Sequence, residues 1–162
     1  MSNGHSTDET RIRPVEAAHI GDLIRIGEET NLSPWTAESY LDEIKNPSAV
    51  LLRLISDDNT TLGFVVGRTI AGGEVEIERE AEIYNIAVVE IDQRKGCGQK
   101  LFDAFCQICR DNEVTNIWLE VRESNNKALC FYRKNGFKHI QTRPHFYANP
   151  REHAILMKLV LK

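Results

Sequence analysis

Gln93-Arg94-Lys95-Gly96-Cys97-Gly98 is the stretch on which the fold turns. It stands between an apolar run, Ile83 to Val89, and a helical pattern that starts near Cys97. A helix N-terminus carries unpaired N–H groups and the positive end of the macrodipole. Glycines let phosphate oxygens approach the backbone closely. Arg94, Lys95 and Lys100 add positive charge within the same few residues. An anionic ligand held by backbone amides is therefore expected here. Two phosphate motifs are excluded. A P-loop needs G-x-x-x-x-G-K-[ST], which does not occur. A dinucleotide fingerprint needs a third glycine at position 101, which is Leu101, and an acidic residue at a strand end about twenty residues on. What remains is [QR]-x-x-G-x-[GA].

Working outward, the chain of 162 residues suits one domain, expected over 11–162 after a polar, disordered tail over 1–10. A net charge of −4 gives no support for nucleic-acid binding through a broad basic field. No apolar run approaches a membrane span, and Met1 to Thr10 lacks the apolar core of a secretory signal. Cys97, Cys106, Cys109 and Cys130 fall on helical patterns, not in a disulfide framework, and read as small apolar residues of a buried helix face. The Cys106–Cys109 spacing lies mid-helix, where a thiolate gains nothing from the dipole, and no second ligand pair exists for zinc. No metal is expected, and the compartment is expected to be reducing and cytoplasmic.

Arg11 to Val15 is a strand candidate, followed by helical spacing through Ile20, Leu23, Ile24 and Gly27. Ser33 or Thr36 can cap the next helix, which stops at Asn46-Pro47. Ala49 to Ile55 and Leu62 to Ile70 read as a hairpin, Gly72-Gly73 as a turn, and Glu80 to Val89 as a long strand. Gly98 to Asn112 is an amphipathic helix and Asn116 to Val121 a strand. Ser124-Asn125 opens a helix that closes at Asn135-Gly136. Phe137 to Thr142 and His153 to Leu161 are the last strands, with Pro144 and Pro150 in a loop between them. The order β-α-α-β-β-β-α-β-α-β-β describes an α/β fold with a mixed sheet.

Several motifs now stand in one order: Asn85-Ile86-Ala87-Val88, Gln93 to Gly98, Trp118-Leu119-Glu120-Val121-Arg122, Ser124-Asn125, Phe131-Tyr132, Asn135-Gly136-Phe137 and Ala154-Ile155-Leu156-Met157. Together they resemble the GNAT N-acetyltransferases over about Arg11 to Lys162. The resemblance is strongest to the bacterial ribosomal-protein alanine N-acetyltransferases. It implies the acyl-CoA N-acyltransferase fold, acetyl-CoA as cofactor with coenzyme A as product, and a protein N-terminal amine as acceptor, in particular a ribosomal protein beginning with alanine. It further implies that Arg94, Lys95, Gly96, Cys97, Gly98 and Gln99 hold the pyrophosphate. Ile86, Ala87 and Val88 would offer backbone groups to pantetheine and the acetyl carbonyl.

Acetyl transfer to an amine needs a neutral amine, donors for the developing oxyanion and a proton for the leaving thiolate. Alternation on Ile117 to Arg122 puts Trp118, Glu120 and Arg122 on one face. A free α-amine has a pKa of about 7.7–8.0, so a partly desolvated glutamate suffices as base. Glu120 could equally be an ion-pair partner of Arg122; the resemblance makes it the general base. Glu82, which shares a strand face with Tyr84, is a rival base. Tyr132 could be a core aromatic; the resemblance makes it the acid that protonates the thiolate. Asn125 can cap its helix and also bind the pantetheine arm. Trp35 and Tyr147 are expected at the acceptor groove, although Trp35 could instead staple its helix. His153 departs from the resembling enzymes, which usually carry an acid immediately before this strand's alanine, and the His145-Phe146 pair also departs from their usual pattern. No cysteine is placed as an acetyl carrier, so direct transfer in a ternary complex is expected.

Overall fold

The computed structural model describes residues 9–70 and 78–162. Most of the expected tail, and the turn at Gly72-Gly73, lie outside the described residues. Among the described residues, seven strands and four α-helices follow the expected order: β1 (Arg11–Pro14), α1 (Ile20–Glu29), α2 (Ala37–Lys45), β2 (Ala49–Ile55), β3 (Thr61–Ile70), β4 (Arg79–Val88), α3 (Cys97–Asp111), β5 (Val114–Arg122), α4 (Asn126–Lys134), β6 (Lys138–Ala148) and β7 (Arg151–Val160). Short 3-10 turns at Ala17–His19 and Glu90–Asp92 precede α1 and the glycine loop. The strand order is β1-β2-β3-β4-β5-β7-β6. The chain divides into two compact units, Met1–Arg68 with Asn85–Ile108, and Thr69–Tyr84 with Cys109–Lys162.

In the first unit β1, β2 and β3 are antiparallel, with Arg11 opposite Ile55 and Ala49 opposite Arg68. Thr61 to Gly67 of β3 are all buried, so both faces of that strand are covered, and its sequence is a near-continuous apolar run. Leu23 and Ile26 of α1 and Phe64 of β3 are sealed from solvent. Each such side chain contributes roughly 1.5–3 kcal/mol by leaving water. Gly63 has a specific reason to be glycine: a Cβ there would stand 2.6 Å from the Ala87 carbonyl oxygen and 3.1 Å from the side chains of Leu101 and Val88. The close approach of β3 to the end of β4 thus depends on a missing side chain. One buried charge is fully paired: Arg68 Nε donates to both carboxylate oxygens of Glu43, at 2.8 and 3.0 Å.

In the second unit β4 and β5 are parallel and β5, β7 and β6 antiparallel. Ile117, Leu119 and Val121 of β5 are buried and Trp118, Glu120 and Arg122 half-buried, the alternation read from the sequence. α4 begins at Asn125, whose Oδ1 accepts the Ala128 N–H at 3.2 Å. It ends in a Schellman motif. Phe137 N–H donates to the Tyr132 carbonyl and Gly136 N–H to that of Arg133, both at 3.0 Å, with Gly136 at φ +95°.

Two expectations need correction. The last two strands are longer than predicted. β6 runs on through Pro144 to Ala148 where a loop was expected, because the residues around Pro144 form a bulge on a strand at the sheet edge. An edge bulge tolerates a proline that has no N–H to give the ladder. Cys130 is exposed, whereas Cys97, Cys106 and Cys109 are buried as expected.

Candidate active site

The glycine loop and the start of α3 lie in the first unit. Gln93 Nε2 donates to the Val88 carbonyl at 2.9 Å, which pins the loop to the end of β4. Arg94 and Gly96 take left-handed backbone conformations, φ +62° and +85°. A Cβ on Gly96 would meet nothing within 4 Å, so its surroundings are open to a ligand and only the backbone demands glycine. No acidic side chain stands in the first turn of α3 itself, although the buried Asp92 carboxylate acts on Cys97 at its start. Backbone N–H groups at the start of α3 and the open space around Gly96 could hold an anionic group. The cations are less free than the sequence implies. Lys95 lies 3.5 Å from the buried Asp92 carboxylate, and Lys100 Nζ donates to Thr10 Oγ1 at 2.9 Å. Arg94 is exposed, and Gln99 Nε2 donates to Asp103 at 2.8 Å. Burial first, then Asp92, push the Cys97 thiol pKa up, against Lys100 and Lys95. A thiol held protonated is a poor nucleophile.

Ile86, Ala87 and Val88 form the end of β4; Ile86 is half-buried and the other two are buried. The β4–β5 ladder ends at Ile83 opposite Leu119, short of the end of β4 at Val88. Val89 N–H, just beyond, donates to the Leu62 carbonyl at 2.8 Å.

The carboxylate and phenol of interest lie in the second unit. Glu120 does not pair with Arg122. Its partner is Arg143 of β6, at 2.8 Å, with the carboxylate side chain 17% and the guanidinium side chain 44% exposed. Arg122 is occupied elsewhere. It donates to the Asn149 and Pro150 carbonyls at 3.2 and 3.0 Å and to Glu152 at 3.3 Å, and its guanidinium lies 4.1 Å from the centre of the Tyr147 ring. Arg122 thus clamps the turn between β6 and β7. Glu152 accepts the Ser124 N–H, and its pKa is lowered by hydrogen bonding first from the Ser124 side chain and then from that N–H. Sequence reasoning missed Arg143: its approach to Glu120 depends on the register of β6, and the bulge hides that register. Glu82 stands opposite Trp118, so parallel pairing puts it on the same sheet face as Glu120.

Tyr132 is buried and ringed by aromatics, its centroid 5.5 Å from Phe131 and 5.4 Å from Phe137. The Schellman motif that ends α4 joins Tyr132 and Phe137, so the helix stop and the tyrosine's seat are one construction. Burial raises its phenol pKa well above the ordinary 10.0, and Tyr147 adds to the effect. Tyr132 therefore keeps its proton throughout the physiological range. Tyr147 is half-buried, with its pKa raised by burial, Glu120 and Glu152 and lowered by Arg122. This unit thus carries a half-buried carboxylate that can take a proton and a neutral phenol that can give one.

Thr36, not Ser33, caps α2: its Oγ1 accepts the Ser39 N–H at 3.1 Å. Trp35, one residue before the cap, meets Tyr40 at 5.1 Å between ring centres. That is the hydrophobic staple. The Trp35 ring is half-buried.

The chain matches the model of the Acetyltransferase (GNAT) family over residues 20–137. It is 31% identical over 153 residues to the ribosomal protein bS18-alanine N-acetyltransferase of Haemophilus influenzae, covering 93% of this chain and 98% of that protein. It is 38% identical over 150 residues to the enzyme of the same name from Escherichia coli K12, covering 91% and 95%. The crystal structure of Ard1 from Thermoplasma volcanium superimposes with a TM-score of 0.84 at 28% identity, covering 95% of this chain and 99% of that one. The match spans the glycine loop, Glu120 and Tyr132, and on these grounds the chain belongs to the GNAT acetyltransferase family.

Proposed function

We propose that the protein moves the acetyl group of acetyl-CoA directly to the N-terminal α-amine of another protein, with a ribosomal protein that begins with alanine as the acceptor. The observation that carries this reading is the combination, in a chain of this family, of a half-buried carboxylate at Glu120 with a buried, neutral phenol at Tyr132. The names of the bacterial relatives supply the acceptor. Glu120 takes the proton of the incoming ammonium, directly or through a water. Tyr132 gives its proton to the thiolate of departing coenzyme A. Backbone groups of Ile86, Ala87 and Val88 align the pantetheine and polarise the acetyl carbonyl. Arg94, Lys95, Gly96, Cys97, Gly98 and Gln99 hold the pyrophosphate, and Asn125 meets the pantetheine arm while capping α4. Trp35 and Tyr147 are each assigned to acceptor-peptide binding. The chain 11–162 acts as a single catalytic domain. Its free thiols and the ribosomal acceptor of its relatives favour the cytoplasm.

The test is incubation with acetyl-CoA and peptides beginning with Ala, Ser or Met, alongside an N-terminally blocked lysine peptide. Thiol release and product mass identify reaction and acceptor together. Acetylation at the α-amine of the Ala peptide is expected. Acetylation of the blocked lysine peptide alone would reassign the acceptor. Cofactor binding without release of thiol would make the protein a coenzyme A-binding module.

A further inference from the structure

We propose that His153 is a positioning residue for the acceptor side of the site: its ring nitrogen holds the β6 bulge by accepting the His145 N–H, and its protonation releases that bulge. The inference rests on the acetyltransferase reading above.

The register shows why a bulge matters here. Between Arg143 opposite Ala154 and Tyr147 opposite Glu152, β6 advances four positions (143 to 147) while β7 advances two (154 to 152). Because the surplus is even, Arg143 and Tyr147 return to the same sheet face. From that face Arg143 reaches Glu120 and Tyr147 reaches the Arg122 guanidinium. A surplus of one residue would turn Tyr147 to the opposite face.

The surplus chain centres on His145 at φ +55°, a left-handed conformation that a side chain with a Cβ disfavours. Pro144 beside it has no N–H with which to anchor the bulge. The anchor is His145 N–H, which donates to His153 Nδ1 at 3.0 Å, with the two imidazoles edge-to-face at 4.9 Å between centres.

An imidazole nitrogen accepts only when it carries no proton. Unperturbed imidazole titrates near pH 6.5. On protonation Nδ1 becomes a donor facing a donor, and the new cation lies against the His145 ring. Within three register positions of His153 the other charged and titratable groups on the adjoining strands are Arg143, His145 and Tyr147 on β6, Glu120, Arg122 and Glu123 around the end of β5, and Arg151 and Glu152 on β7 itself. Arg143 is paired with Glu120 and Arg122 with Glu152, while Arg151 and Glu123 are exposed. The strand that carries Arg143 and Tyr147 thereby gains a pH-dependent latch.

The experiment measures kcat and KM for the Ala-initiated peptide from pH 5.5 to 8.5 in wild type, His153→Asn and His153→Ala, with Glu120→Gln in parallel. Asparagine offers an acceptor oxygen that does not titrate. At pH 8, His153→Asn should match wild type within about twofold. His153→Ala should lose about five- to tenfold in kcat/KM, the worth of one hydrogen bond. That loss should fall on the KM for peptide and leave the KM for acetyl-CoA unchanged. The ratio of wild-type to His153→Asn activity should fall from pH 8 to pH 6, by less than the full loss seen in His153→Ala because part of the imidazole is still neutral at pH 6. Wild-type acceptor KM in His153→Ala, or an acid limb in His153→Asn identical to wild type, overturns the proposal. Should the alanine variant fail to fold, NMR of the wild type decides. The His145 amide and the His153 ring nitrogens should titrate with one midpoint, and separate midpoints overturn the proposal. That readout needs no activity. Failure of the base assignment, seen as full activity in Glu120→Gln, is therefore distinct from failure of the latch.

Discussion

Replacing either member of the Glu120–Arg143 pair with glutamine should cost the same stability but very different amounts of activity. The two groups lie 2.8 Å apart, but solvent reaches the guanidinium, whose side chain is 44% exposed against 17% for the carboxylate. The several kcal/mol that breaking a buried pair costs does not apply to a half-solvated arginine. The pair belongs with screened surface pairs, worth about 0.2–1 kcal/mol. At this chain length that corresponds to a fall in Tm of no more than about 4 °C. Glu120→Gln and Arg143→Gln remove the same interaction, so their melting temperatures should fall together. The double variant should fall by less than the sum. Turnover should separate them. Losing a positioned base costs on the order of 10²–10⁴-fold, whereas losing the arginine costs only orientation, about fivefold for 1 kcal/mol. The Glu120→Gln deficit should shrink as pH rises past the α-amine's own range of about 7.7–8.0, where the nucleophile deprotonates unaided. Initial rates of thiol release from pH 6.5 to 9, with thermal melts of all three variants, give both readings. Equal activity losses in the two single variants would make Glu120 an ion-pair partner and no more. Full activity in Glu120→Gln with a loss in Glu82→Gln would move the base to β4.

Three further outcomes are expected. Gly96→Val puts a branched side chain at φ +85° in open space, so a fold that survives about 1–2 kcal/mol of backbone strain should bind acetyl-CoA more weakly; an unchanged Kd by calorimetry would count against the phosphate loop. Gly63→Ala drives a Cβ to 2.6 Å from a backbone oxygen and should cost about 1–3 kcal/mol in urea unfolding, while an unshifted midpoint would show that β3 and β4 part without cost. Tyr132→Phe should keep the fold and acetyl-CoA binding and lose roughly 10²-fold in single-turnover rate; a wild-type rate with a lower Tm would make Tyr132 a packing residue. That variant also has a pH signature. Burial raises the Tyr132 pKa above 10.0, so the folded state holds its proton more tightly than the unfolded state. The stability is fully present below about pH 10 and declines as pH rises beyond it, and the phenylalanine variant should decline less steeply.

The elements were legible because their signals are local. Alternation along Ile117 to Arg122 set the faces of β5, and Asn125 and Asn135-Gly136 marked both ends of α4. The glycine loop was legible as a strand-to-helix turn, whereas the left-handed backbone of Gly96 was seen only in the structure. The sheet-edge bulge was not legible. Proline at 144 reads as a loop in any local window, and only pairing with β7 shows that β6 continues past it.

The sequence by itself determined the order of strands and helices, the glycine loop, and which residue types could carry proton transfer, because capping, periodicity and turn chemistry act within a few residues. Only the tertiary structure decided what each group faces. It gave Glu120 to Arg143 and Arg122 to the β6–β7 turn, and it spent Lys95 on Asp92 and Lys100 on Thr10. It also stapled Trp35 to Tyr40 and set His145 on His153. These pairings depend on strand register and on contacts between segments far apart in the chain. A single inserted residue in β6 would exchange its faces without altering any local pattern.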